Sequence, residues 1–257
     1  MLLQFATSPE IEAYLGRSQG IIIPVGSTEQ HGKGGLIGTD ALCAEHVARG
    51  VGESVDALVA PTIAVGMAQF NLAFPGTITT RPSTLMALAE DYILSLSRQG
   101  FSHFFFLNGH GGNIAPLRAA FQEVHAAQSL GRAPMHPIRC RLRSWWEGPS
   151  VNALRQQLFG AWEGFHVTPS EVAITQHAYP GALKPVDWGA PRPLPNSPLV
   201  EPAGDNHYDA DEHRQRYPDG RIGSDPALAS AEAGDALAAA AIADFAADYQ
   251  AFVAAGL

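Results

Sequence analysis

Four stretches of the chain carry side chains suited to holding a divalent metal ion beside a turn or a helix start. In Ser27-Thr28-Glu29-Gln30-His31-Gly32, the carboxylate and the imidazole lie two residues apart. In extended backbone such side chains leave on the same side, and the pair suits Zn²⁺, Mn²⁺ or Fe²⁺. Asp40 follows after a glycine-rich loop and can close on the same point. Asn108-Gly109-His110-Gly111-Gly112-Asn113 sets a further histidine among glycines, which let backbone approach a ligand closely. In Phe165–Glu171, Pro169 opens a helix and Glu171 falls in its first turn, where the helix dipole favours a carboxylate. His166 precedes that helix, and an imidazole with a pKa near ~6.5 suits proton transfer at neutral pH. Each residue also has an ordinary reading: Glu29, His31 and His166 as loop polar groups, Asp40 as a helix cap, His110 as a structural histidine, Glu171 as an N-terminal helix acid.

The elements around these stretches alternate between strand and helix. Strands are expected over Gly20–Gly26, Ala57–Ile63, Phe104–Leu107 and near Ile138–Trp145. Helices are expected over residues 9–18, from Thr39-Asp40 to about Gly50, from Pro82, over 114–121, near Asn152–Phe159 and near Pro169–His177. In the Pro82 helix, Leu85, Leu88, Tyr92, Ile93 and Leu96 share one face, and Gly100 suits the position just past its end. Residues 70–81 read as loop, and 180–221, rich in proline, glycine and acids, shows no periodicity. Pro226–Ala255 reads as one long helix capped by Asp225. The pattern predicts a single α/β domain over residues 1–257, a mostly parallel sheet with helices on both faces and the site at the carboxyl ends of the strands.

Composition narrows the function. The 257 residues are 46% hydrophobic and 16% charged, which excludes a disordered chain. A net charge of −9 without a basic cluster argues against a nucleic-acid partner. The two cysteines, Cys43 and Cys140, sit in apolar settings and read as reduced core thiols. No basic leader opens the chain and no apolar run approaches the ~20 residues of a membrane helix, so a cytoplasmic protein without membrane partners is expected. Of the other histidines, His46, His103, His125, His136 and His177 lack acidic neighbours at ligand spacing or fall within or beside regular elements. His207, Asp209, Asp211 and His213 cluster, but read as a solvated acidic loop.

Five segments together resemble the creatininase (creatinine amidohydrolase) family. They are Pro24–Gly32 with Thr39-Asp40, Phe74-Pro75-Gly76-Thr77-Ile78-Thr79, Asn108–Asn113, His166 with Glu171, and Gly223-Ser224-Asp225-Pro226 with Ala229 and Gly234. The resemblance implies a parallel α/β fold, a centre of one or two divalent ions (Zn, Mn or Fe), hydrolysis of a non-peptide C–N bond and a homohexamer. Carried over by position, Glu29, His31, Asp40 and His110 match metal ligands, with Asp40 able to bridge two ions. His166 matches the proton-transferring histidine, and Glu171 the acid that serves the metal site.

Two departures bear on the substrate. Creatinine-hydrolysing members follow the motif histidine with tyrosine and a metal-binding glutamate, where this chain has Gly111 and Gly112; the two glycines are expected to leave that space open. Those members also place a glutamate before the catalytic histidine, where this chain has Phe165. The expected activity is therefore hydrolysis of a cyclic amide, lactam, formamide or creatinine-like small molecule by a metal-activated water. Trp145, Trp146 and Trp162 are possible walls for a flat substrate, with core packing the alternative for at least one. The alternative function is a catalytically idle family member acting in ligand binding or assembly. A metal-dependent phosphoesterase is disfavoured, since no arginine or lysine accompanies the proposed ligands.

Overall fold

In the computed structural model, residues 1–132, 137–193 and 209–256 are described; His136 and His207 lie outside them. Four parallel strands form one sheet in the order β2-β1-β3-β4. They are β1 (Gly20–Val25), β2 (Leu58–Val59), β3 (His103–Asn108) and β4 (Arg139–Ser144). The period of two divides the apolar strands between two cores. Ile21, Ile23 and Val25 of β1 with Phe104 and Phe106 of β3 join one cluster, together with α3 (Pro82–Arg98) and α4 (Ile114–Ser129). Ile22 with Phe105 and Leu107 join the other, against α2 (Thr39–Ser54), α5 (Pro149–Phe159), α6 (Pro169–Ala178) and α8 (Ala231–Ala254). Every residue of β1 and β3 is buried, which is why both read as continuous apolar runs. A short amphipathic α1 (Ser8–Leu15) precedes β1.

The predicted architecture holds, with local differences. The second strand is two residues long because Pro61 has no N–H for a ladder; only an isolated bridge from Val25 to Ile63 continues the pairing. Leu88 of α3 is exposed and Ala89 takes the buried place. Gly100 adopts a φ of +110° just past α3, as its position suggests. The aperiodic 180–221 stretch contains α7 (Ala210–Arg216), N-capped by the Asp209 side chain, so this segment is not a solvated loop throughout. Asp225 caps a separate 3₁₀ turn, Pro226–Leu228, and the long helix starts only after Ser230, whose hydroxyl caps it.

α8 also corrects the expectation that no run approaches membrane-spanning length: its 24 residues are long and apolar enough by length and composition. Its apolarity is mostly alanine, and its Leu237, Ala241, Phe245, Tyr249 and Phe252 are buried in the second core.

Candidate functional site

β1 and β3 pair with Val25 opposite Asn108, so the loops that leave them begin side by side. β2 and β3 flank β1 on opposite sides, which makes the β1–β3 crevice the point where ligands bind in open α/β sheets. The loop after β1 brings Glu29 and His31; the loop after β3 brings His110. The N-terminus of α2 wedges between them and delivers Asp40 from its first turn. That approach needs Gly109, because a Cβ there would lie 2.1 Å from the Asp40 carbonyl oxygen. Asn108 ties the glycine loop: its amide donates to the His110 carbonyl at 2.7 Å, and its oxygen accepts from the His110 N–H and from Asn113 Nδ2. α6 supplies Glu171 from its first turn, and His166 lies just before that turn.

All six residues singled out from the sequence converge here. His110 Nδ1 is 2.9 Å from Asp40 Oδ2 and 3.3 Å from Glu29 Oε1. His31 Nε2 is 3.1 Å from Asp40 Oδ1 and 3.7 Å from Glu171 Oε1. His166 Nδ1 is 3.6 Å from Glu29 Oε1. Three groups of ligand atoms each lie within 4.8 Å of one another: Glu29–Asp40–His110, His31–Asp40–Glu171 and Glu29–His31–His166. Asp40 turns one oxygen to each of the first two.

Backbone carbonyls set the imidazoles. His31 Nδ1–H donates to the Glu29 carbonyl, His110 Nε2–H to the Met67 carbonyl, and His166 Nε2–H to the Gln30 carbonyl. Each ring thereby turns its other nitrogen towards the carboxylates, the one that ligates once its proton has left, as in ligands whose second nitrogen is held by an outer acceptor. Glu29 Oε1, His31 Nε2 and Asp40 Oδ2 are buried without a hydrogen bond. Among the described residues no lysine or arginine pairs with Glu29, Asp40 or Glu171, so three buried carboxylates lack a permanent cation. Buried charge of this kind requires a partner, and the oxygen and nitrogen donor set fits a divalent ion such as Zn²⁺ or Mn²⁺.

Left to themselves, these groups share protons. Burial would lower both His31 and His110, but Asp40, Glu171 and Glu29 overcome it for His31 (about 10), and Glu29 and Asp40 for His110 (about 9). Burial lifts Glu29 and Glu171 to about 7, against the pull of the nearby imidazoles. Burial also opposes ionisation of Asp40, yet His31 and His110 hold its carboxyl well below the usual carboxylate range. His166 is pushed down to about 3 by burial and by His31.

A further tier of residues escaped the sequence reading. Thr168 caps α6: its N–H donates to Glu171 Oε1 at 2.6 Å and its hydroxyl accepts from the Glu171 N–H. The Thr168-x-x-Glu171 pattern is a capping-box signature that points to this pair. Val167, fully buried between His166 and that cap, holds a φ of +55°, a strained value for a β-branched residue. Phe70 stacks on His110 with centroids 6.1 Å apart and leans on His213 of α7, so α7 backs the site without joining it.

The expected open space after His110 exists at Gly111 but not at Gly112. A Cβ on Gly111 meets nothing within 4 Å, whereas one on Gly112 would lie 2.3 Å from the Met67 carbonyl oxygen and 2.6 Å from His110 Nε2. The Met67 carbonyl that fixes His110 thus occupies the space a side chain at 112 would need. Glu171 supplies a carboxylate to the His31 half instead.

A cavity of about 260 Å³ opens on the cluster, lined by Asp40, His110, Gly111, His166 and Glu171 with Trp145, Trp146 and Phe165. It shares Trp146, Arg155, Gly164 and Phe165 with a neighbouring cavity of about 580 Å³, where Trp162 lies. Trp145 is a buried core residue that also lines the cavity, while Trp146 and Trp162 are half-buried walls.

Known proteins with related chains share this arrangement of elements. The family described as creatininase, creatinine amidohydrolase, matches residues 4–248. A mycofactocin precursor peptide peptidase of Mycolicibacterium smegmatis is 41% identical over 106 residues, covering 39% of this chain and 42% of that protein. Creatinine amidohydrolase of Pseudomonas putida is 28% identical over 169 residues, covering 62% of this chain and 64% of that enzyme. The chain thus spans less than two-thirds of either curated relative. A zinc–zinc form of a creatininase variant superposes with a TM-score of 0.81 at 25% identity, covering 98% of each chain.

Proposed function

Because the chain belongs to the creatininase family, we propose that it is a metal-dependent hydrolase of an amide C–N bond, with Asp40 shared between two divalent ions. Glu29, Asp40 and His110 would hold one ion; His31, Asp40 and Glu171 would hold the other. Such ions supply Lewis acidity and lower the pKa of water. The observation that carries this reading is the convergence of buried His31 and His110 on separate oxygens of Asp40, beside Glu29 and Glu171 and with no lysine or arginine among the described partners.

The remaining roles fall to the chain's own groups. His166 rests neutral, with Nε2–H fixed on the Gln30 carbonyl and Nδ1 facing the cluster. Nδ1 takes the proton lost by the attacking water. The protonated ring then hands that proton on to the leaving nitrogen. Trp146 and Phe165 form the mouth through which substrate enters.

The substrate is an extended, peptide-like amide. The cavity at the cluster adjoins a larger one, with Trp146 and Phe165 lining both, and the M. smegmatis relative is a peptide peptidase. The non-peptide C–N bonds expected from the sequence are the competing substrate reading. Homo-oligomeric assembly, hexameric by family resemblance, and a cytoplasmic location complete the proposal; sedimentation of the purified chain measures the first.

The test is a hydrolysis panel of short peptides, formamides, lactams and creatinine, run after chelator stripping and reloading with Zn²⁺, Mn²⁺ or Fe²⁺. Metal-dependent turnover of peptides supports the reading, and turnover of creatinine or lactams alone moves the substrate back to the small cyclic amides. Protein that binds no metal and hydrolyses nothing is an idle family member.

A further inference from the structure

Glu163 is a buried acid of which the proposed chemistry makes no direct use. It is 3% exposed and lies in the wall of the larger cavity. Its Oε1 accepts from Arg155 Nε and Nη2, both at 2.8 Å, and from the Ser170 hydroxyl. Arg155 is itself largely buried, 12% exposed at its side chain, and lies over the Trp145 ring. A buried ion pair contributes little net stability relative to apolar packing, so the pair is not accounted for by folding alone.

The contacts continue inward. Ser170 Oγ is 3.1 Å from Thr168 Oγ1, and Thr168 is the cap that holds Glu171 from both its backbone and its side chain. The same Glu171 oxygen that accepts from Thr168 N–H faces His31 Nε2 at 3.7 Å. An unbroken path of hydrogen-bonded groups therefore runs from Arg155 through Glu163, Ser170 and Thr168 to Glu171. Thr168 Oγ1 touches the Glu171 backbone and not its carboxylate, so the path orients Glu171 and does not conduct protons to it.

We infer that Glu163 is a positioning residue for the His31–Asp40–Glu171 half of the site, acting through Ser170 and Thr168. The inference rests on the two-ion reading given above. Outer groups that orient a ligand typically change metal affinity 10–100-fold when removed. Here that loss falls on one half only, because Glu29, Asp40 and His110 are held by other partners: Ser27, the α2 N-terminus and the Met67 carbonyl.

Zinc titration of the chelator-stripped full chain, with the thermal unfolding midpoint recorded alongside, tests this on Glu163→Gln and Ser170→Ala. The second variant keeps the test open if the first fails to fold. Wild type is expected to bind two zinc ions. In each folded variant the ion of the His31–Asp40–Glu171 half, identified as the one that Glu171→Gln also weakens, is expected to lose about 10–100-fold in affinity, with the other within twofold of wild type. Two wild-type ions whose affinities the variants leave unchanged overturn the positioning role alone. Losses that fall on both ions together with a lowered midpoint make Glu163 and Ser170 structural. A wild-type chain that takes up one ion or none removes the two-ion reading, and this inference with it.

Discussion

Glu29, Asp40 and His110 meet where two paired strand ends and the start of α2 are packed against one another, and Glu29 has no exposure at all. Glu171 reaches His31 and Asp40 from the first turn of α6, at the cavity wall, and is 8% exposed. The first half is anchored by the sheet register and by the carbonyl of Met67. The second depends for its carboxylate on one helix cap and the polar path behind it. A carboxylate packed at the strand ends, as Glu29 is, is held more firmly than one that rests on a helix cap, as Glu171 does. The comparison therefore assigns the tighter ion to Glu29–Asp40–His110 and the weaker, more exchangeable one to His31–Asp40–Glu171.

The residue common to both halves should show the largest effect. Asp40→Ala is expected to remove both ions and to lower hydrolysis by roughly a thousandfold or more. Metal analysis of the purified, folded variant checks it. Retention of either ion would mean that the halves do not share Asp40.

Separating the halves comes next. His110→Ala is expected to abolish the tight ion, while Glu171→Gln leaves the tight ion in place and weakens the other by about 10–100-fold. Zinc titrations of the two variants compare directly. If Glu171→Gln instead costs the tighter ion, the assignment of strong and weak halves is reversed.

His166 lies against both halves without belonging to either. His166→Ala should keep its metal and lose about 10²–10⁴-fold in turnover, the usual span for a positioned acid or base. A metal-poor variant would make His166 a ligand with Glu29 and His31, the third grouping that the distances allow.

The same contrast explains what the sequence reveals and what it conceals. Glu29, His31, Asp40, His110, His166 and Glu171 are legible because each sits at a strand end or helix start marked by glycine or proline, where side chains face a crevice. The unbroken apolar runs Ile21–Val25 and Phe104–Leu107 likewise make the two-sided core readable. The supporting tier is harder. His166 finds its carbonyl partner 136 residues away in Gln30, and His110 finds Met67 43 residues away, pairings that no local pattern encodes. Gly112 is informative only once Met67 is placed: the same dipeptide that reads as open space is open at Gly111 and closed at Gly112. α7 is short, and its one local signal, Asp209 at the cap, competes with the proline-rich surroundings.

The smallest effect sharpens the comparison through pH. In the metal-free chain His31 and His110 keep protons up to about 10 and 9, whereas unfolded histidines lose them near 6.5. Between about pH 7 and 9 the folded, metal-free protein therefore binds more protons than the unfolded chain. Stability in that window falls as pH rises, and it is fully present only below the unfolded pKa. Glu29 and Glu171, lifted to about 7, add a loss in the same direction between their unfolded value of 4.5 and that point. His166, pushed down to about 3, opposes it below 6.5 only. Divalent ions replace these protons, so loading releases them and flattens the profile. The chelator-stripped protein is expected to drop by roughly 5–10 °C in Tm from pH 7 to 9, and the zinc-loaded protein to change much less. Loading only the tight half should remove the His110 part of the slope and reduce that of His31, whose proton is held chiefly by the shared Asp40 and then by Glu171. A stripped protein whose Tm is level or rises over this window would mean that the two imidazoles are not held protonated by the carboxylates, and that the halves are not charged as their distances imply.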